Sequence, residues 1–187
     1  MNNPVSNRPI RYHILIGIPG SGKTTFARQW CDDDPTCCHI STDRIRASLY
    51  GDAAEQGDWG EILTEILAQA KDAILADRSI LYDATNAQRS HRREIVRQLR
   101  QQAQHLALDR PICVHGWQLT TTLDECHRRN RHRDRTIPAD IIDAMHASLC
   151  EDPPTLDEGF TSLHVLPAPS SDTDRWDLDT MQPIIRP

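Results

Sequence analysis

Eight consecutive residues carry the strongest chemical signal in this chain. Gly17-Ile18-Pro19-Gly20-Ser21-Gly22-Lys23-Thr24 fits G-x-x-x-x-G-K-[ST], between an apolar run and a helical pattern. Glycines at such spacing let successive backbone N–H groups converge on phosphate oxygens with no Cβ in the way. The helix that follows directs about half a positive charge at the same anion. Lys23 offers a mobile cation to the β- and γ-phosphates, and Thr24 a hydroxyl for Mg²⁺. Gly17, Pro19, Gly20, Ser21, Gly22, Lys23, Thr24 and the adjoining Thr25 are therefore read as a site for ATP with Mg²⁺. Such a loop does not by itself decide between hydrolysis, transfer and switching.

Two carboxylates stand where a second reactant would need them. Asp43 lies just after an apolar run, in Ser41-Thr42-Asp43-Arg44-Ile45-Arg46. It could take the proton of an attacking hydroxyl, or merely cap a short helix. Arg46, three residues on, shares its helix face and could hold an anionic acceptor. Asp83 ends another apolar run, Ser79-Ile80-Leu81-Tyr82-Asp83. An acid there could orient Mg²⁺ directly or through water, or simply belong to a strand-end turn. Asn86 and Arg93 are further candidate acceptor contacts.

Arginines form two groups. Arg128, Arg129, Arg131, Arg133 and Arg135 crowd one helix and its exit, as a lid closing on an anion would, or as a solvated basic end does. Arg131 and Arg133 are the candidates for a finger on the transferred phosphoryl group. Arg89, Arg93, Arg97 and Arg100 make one helical stripe, either a phosphate track or a solvated face. From Asn86 to Thr136 there are 11 arginines against 5 acidic residues, although the whole chain carries −6. That balance argues against a uniformly nucleic-acid-coating surface but allows a local basic channel.

The elements that must position these residues alternate. Strands are expected at Tyr12–Ile16, Cys37–Ser41, Ser79–Tyr82, Pro111–Trp117 and Leu163–Leu166. Helices are expected at Gly22–Trp30, Asp43–Tyr50, Asp58–Asp77, Gln88–Leu106, Thr120–Arg133 and from Pro138. In the third helix Trp59, Ile62, Leu63, Ile66, Leu67, Ala70 and Ile74 share one apolar face, and Asp58 and Glu61 suit a capping box. In the last, Ile141, Met145 and Leu149 are read as the inner face. Alternation of this kind implies an α/β fold: a parallel sheet of about five strands, helices on both faces, and an Arg-rich helical lid. Residues 10–167 are read as one domain, with 1–9 and 168–187 flexible or loosely docked.

The 187 residues suffice for a core without staples. None of the six cysteines sits in a C-x-x-C pair, and the nine histidines include no H-E-x-x-H, so no metal-ligating set is assigned beyond the Mg²⁺ site. No apolar run approaches a membrane span and the first nine residues lack a signal segment, so the cytoplasm is expected.

Taken in order, several motifs resemble a known family. They are the phosphate loop, the Asp43-to-Arg46 spacing, Asp83-Ala84-Thr85-Asn86, Arg129-Asn130-Arg131-His132-Arg133 ahead of Ile137-Pro138, and Pro154-Thr155-Leu156-Asp157-Glu158-Gly159-Phe160. Together they resemble the kinase domain of polynucleotide 5′-kinases, among P-loop kinases that include zeta-toxin-like proteins, across about residues 10–167. The resemblance implies transfer of the ATP γ-phosphate to a 5′-OH end of RNA or DNA. It implies Asp43 as general base, Arg46 on the acceptor's phosphate, Lys23 and Thr24 on the donor, Arg133 or Arg131 in the lid, and Asp83 near the metal. Two rivals remain: a P-loop kinase for a small metabolite hydroxyl such as a nucleotide, sugar or antibiotic, and an ATP-binding switch without transfer. Oligomeric state is not legible.

Overall fold

Apolar residues alternate sides along the central strands, and that alternation builds two cores on one sheet. The computed structural model describes residues 8–106, 108–133, 135–168, 175–177 and 182–184, with Trp176 the only side chain of the last two segments. Strands β1 (Ile10–Ile16), β2 (Cys37–Ser41), β3 (Ser79–Asp83), β4 (Ile112–Leu119) and β5 (Ser162–Leu166) pair in the order β2-β3-β1-β4-β5, all parallel. The helices are α1 (Lys23–Asp33), α2 (Thr42–Tyr50), α3 (Trp59–Leu75), α4 (Arg89–His105), α5 (Leu123–Arg131) and α6 (Ala139–Glu151).

On one face Tyr12, Ile14, Ile16, Ile80 and Val114 meet α3 through Ile62, Ile66, Ala70 and Ile74, and α4 through Ile95, Val96 and Leu99. On the other, Leu15, Leu81, Trp117 and Leu119 meet α1 through Phe26, Ala27 and Trp30. Strands covered on both faces need continuous apolar runs, as residues 14–16 of β1 and 80–82 of β3 supply. His13 is buried among rings and takes the Trp117 indole N–H at 3.2 Å. Burial, with His115 adding to it, pushes its pKa down to about 3, so it is a neutral core residue.

Predicted and observed elements agree to within a few residues at most ends. Three placements need correction. Trp59 does not join the apolar face of α3 in the core but is 44 % exposed, because it lies beyond the edge of the packed layer. Ile142, not Ile141, turns inward on α6, and Pro138 is the N-cap of that helix rather than its first turn. Asp58 caps α3 as expected, accepting the Glu61 N–H at 3.0 Å, but the Glu61 carboxylate takes the Tyr50 hydroxyl instead of closing a box.

The expectation for 1–9 and 168–187 lies mostly outside the described residues. Within them, β6 (Arg175–Asp177) pairs antiparallel with β7 (Gln182–Ile184), and Trp176 is buried against Phe26 at 5.2 Å between ring centroids. The Gln29 side chain in α1 clamps it from both sides, accepting the Trp176 N–H at 3.0 Å and donating to the Trp176 carbonyl. Nothing in local periodicity announces a contact 147 residues away in sequence.

Candidate active site

The C-terminal ends of β1, β2 and β3 converge, and each delivers a predicted residue there. The phosphate loop follows β1, Asp43 follows β2, and Asp83 ends β3. A cavity of about 980 Å³ opens over them. Pro19, Gly20, Gly22, Lys23, Thr24 and Thr25 line it, as do Asp43, Arg46, Asp83, Asn86 and Arg133. Gly17 and Ser21 do not line it and serve the loop from within. A side chain at Gly17 would meet Ser21 Oγ at 2.6 Å, and Ser21 is fully buried.

Gly20 shows why the loop needs glycine. Its φ is +85°, and a Cβ there would stand 2.5 Å from the Cys126 carbonyl of α5. The loop thus packs directly on α5. Thr121 strengthens that contact by donating to Ser21 O at 2.8 Å, a use of the Thr120-Thr121-Thr122 run other than helix capping. Gly17 N–H donates to Thr85 O at 3.0 Å, tying the loop to the segment after β3.

Lys23 folds back on the loop, donating to Ile18 O at 3.0 Å. Burial pulls its pKa down to about 8, with Asp83 opposing and Arg133 assisting the fall, and weaker pulls upward from Cys126 and Asp43. ATP phosphates would hold the ammonium charged, so binding above that pH takes up a proton. ATP affinity is therefore expected to be flat below pH 7 and to weaken about tenfold between pH 7 and pH 9. Binding isotherms at those pH values check this; equal affinity at both would contradict it.

Asp83 is 5 % exposed. Its Oδ2 accepts the Thr24 hydroxyl at 2.9 Å and meets His39 Nε2 at 3.2 Å. Burial would raise this carboxyl, but the His39 contact, the Lys23 ammonium and the Thr24 bond outweigh it and hold it below the usual carboxylate range. Mg²⁺ takes hard oxygens, commonly one or two carboxylates completed by substrate phosphates and water. An ionised Asp83 touching the Thr24 hydroxyl beside the phosphate loop fits that requirement. His39 was not foreseen, since a histidine inside a strand reads as a half-buried strand residue.

Asp43 sits in the first turn of α2 without capping it. Its Oδ1 takes Arg46 Nη1 at 3.3 Å, and its side chain is 65 % exposed. Arg46 Nε is buried and has no hydrogen-bond partner among the described residues. Asn86 lines the cavity, yet its amide is committed to Leu15 O at 2.7 Å, which makes it a brace for β1.

The two arginine groups divide. On α5, Arg128 and Arg129 turn to Glu125 at 2.7 and 2.6 Å and hold its carboxyl down to about 2. Arg131 is exposed and does not line the cavity, whereas Arg133 and Arg135 do. Asn130 sets this difference. Its buried amide donates to Ile137 O at 2.8 Å and accepts Ile137 N–H at 3.0 Å, closing the loop that carries Arg133 and Arg135. On α4, Arg89 pairs with Asp157 at 2.6 Å, Arg97 with Glu94 at 2.6 Å, and Arg100 with Gly159 O at 2.8 Å. Most of the stripe is thus engaged with its own protein. Arg93 is exposed beside a separate, smaller cavity.

A phosphate-gripping loop on a parallel sheet, with a strand-end acid beside its threonine and arginines on the cavity wall, is the arrangement of a P-loop nucleotide-binding domain. The chain belongs to the family described as AAA domain, which matches residues 13–153. No curated protein matches the sequence. Among solved structures it is similar to a fungal RNA kinase, with a TM-score of 0.65 at 16 % identity over 90 % of this chain and 78 % of that one. It is also similar to a chain of the Pnkp1/Rnl/Hen1 RNA repair complex, TM-score 0.59 at 18 % identity, covering 81 % of this chain and only 47 % of that one. A gluconokinase from Sinorhizobium meliloti 1021 gives 0.53 at 17 % identity, over 88 % of this chain and 86 % of that one. At such identities the likeness is one of fold. Among the described residues, no helix is long and apolar enough to cross a membrane.

Proposed function

We propose that this protein is an ATP-dependent polynucleotide 5′-kinase whose domain spans residues 10–167. The observation that carries the reading is the accessibility of the acceptor side: Asp43, the candidate base, is 65 % exposed in the same cavity as the phosphate loop. A carboxylate so placed can be reached by the end of a chain far larger than the cavity. The motif order and the likeness to a protein described as an RNA kinase and to a chain of an RNA repair complex support the same substrate class.

In this mechanism the backbone amides from Gly20 to Thr24 and the Lys23 ammonium hold the β- and γ-phosphates. Asp43 accepts the proton of the 5′-hydroxyl as its oxygen attacks the γ-phosphorus. The bond from that phosphorus to the β–γ bridging oxygen breaks, and ADP leaves with the electron pair. Lys23 and Arg133 face the charge that spreads over the equatorial oxygens. Thr24 and Asp83 would hold Mg²⁺, which neutralises phosphate charge when bound. Arg46 pairs with the acceptor's first phosphate. The small-metabolite reading is favoured by one feature, the Glu94 carboxylate on the cavity wall, and by the likeness to a gluconokinase.

Label transfer from γ-labelled ATP decides between them. A single-stranded 5′-OH oligonucleotide is expected to be labelled, with KM rising steeply with salt. Labelling of sugars or nucleosides but of no oligonucleotide would overturn the proposal.

A further inference from the structure

Two large apolar side chains that periodicity assigns to the core stand in the cleft instead. Trp59, the first residue of α3, is 44 % exposed, and Ile141, near the start of α6, is 43 % exposed. Both line the cavity that contains Asp43 and Arg46, together with half-buried Met145.

Trp59 is not a frayed end. Tyr50, the last residue of α2, fixes the turn before it. The Tyr50 hydroxyl accepts the Asp58 N–H at 3.0 Å and donates to Glu61 Oε2 at 2.8 Å. Its ring fills the space where a side chain at Gly57 would stand, and Gly57 has φ +59°. The Asp58 carboxylate then caps α3. Since α2 carries Asp43 and Arg46 in its first turns and Tyr50 at its end, one short helix sets the indole relative to both.

We infer that Trp59 is a stacking wall for the nucleobase of the acceptor's terminal nucleotide, with Ile141 and Met145 adding apolar contact in the same cleft. The inference rests on the polynucleotide reading and names the feature by which this site selects a nucleotide end. Every base offers a flat π face to an aromatic side chain, whatever its sequence identity. A hydroxylated sugar ring would instead have to desolvate its oxygens against tryptophan, isoleucine and methionine. Gln56 and His91, which line the same cavity, are available to the polar edge of a base.

The test is steady-state transfer to two oligonucleotides, one with a normal 5′-terminal nucleotide and one with an abasic residue there, using wild type, Trp59→Ala and Trp59→Phe. Trp59→Ala is expected to raise KM for the normal end about 5- to 150-fold, the range for one stacked base, with KM for ATP unchanged. The abasic end is expected to lose the same factor with wild type and nothing more with Trp59→Ala. Trp59→Phe is expected to restore most of the loss. If Trp59→Ala affects both ends equally while wild type still labels them, the stacking inference alone is overturned. If wild type labels neither end, the polynucleotide reading fails and this inference with it.

Discussion

Asp43→Asn is expected to leave ATP binding intact and to slow phosphoryl transfer by about 10²- to 10⁴-fold, the range for losing a positioned general base. Size and folding are nearly conserved by the change. The Asp43 side chain is 65 % exposed, and asparagine keeps an Oδ1 that can still accept the Arg46 bond seen at 3.3 Å. Its charge in the first turn of α2 is worth at most about 1 kcal/mol to that helix. The donor is gripped elsewhere, by the loop from Gly20 to Thr24 and by Lys23. A loss confined to kcat, with unchanged ATP titrations and unchanged melting, therefore identifies a proton acceptor. Turnover within a few-fold of wild type would remove Asp43 from the chemistry. A protein that only switches on ATP would show no transfer to lose, so the wild-type rate excludes or retains that rival in the same experiment.

Features that depend on a few contiguous residues were legible in the sequence. The phosphate loop is one, since its demands for glycine, lysine and threonine are local. The positions of Asp43 and Asp83 are another, because strand ends gather at one edge of a parallel sheet. Periodicity is weaker evidence about depth. It placed Trp59 and Ile141 on apolar faces, but it does not say where the layer beneath those faces ends. Partners remote in sequence were hidden as well. Four arginines at helical spacing read as a stripe, yet Arg89 and Arg100 are held by the segment from Asp157 to Gly159. Asn130 reads as one polar residue among arginines, and only the folded loop reveals that it closes the turn carrying Arg133, which lines the cavity where Arg131 does not. The Pro154–Phe160 stretch carried part of the family resemblance, and the fold gives it a mechanical reason.

That reason leads to the largest stability effect expected in this protein, from Glu158→Gln. Arg92 and Glu158 are both fully buried and bonded twice, Nε to Oε2 at 2.6 Å and Nη2 to Oε1 at 2.8 Å. The remaining guanidinium protons go to Ala87 O and Asp152 O, each at 2.8 Å, and to Asn86 O at 3.4 Å. Thr155 and Glu158 form a reciprocal capping box that holds the carboxylate in place, and Gly159, at φ +100°, turns the chain away against Val96. Glutamine conserves the volume and most acceptor geometry but leaves the Arg92 charge without a counterion in the core. Removing one partner of a buried pair costs about 3–5 kcal/mol, a large share of the roughly 5–15 kcal/mol that stabilises a whole domain. In a chain of this size that corresponds to a fall in Tm of roughly 10 °C. Thermal melts check it, and a loss below about 1 kcal/mol would mean that the pair is compensated from elsewhere. Replacing both partners, as in Arg92→Met with Glu158→Leu, should recover much of the loss, since the penalty lies in the unpaired charge. The double replacement should not fully recover ATP affinity, however. Arg92 also holds the carbonyls after β3, Thr85 O in that segment accepts the Gly17 N–H at 3.0 Å, and Asn86 braces β1 through Leu15 O at 2.7 Å. Restored melting with weakened ATP binding would separate the pair's part in shaping the phosphate loop from its part in stability.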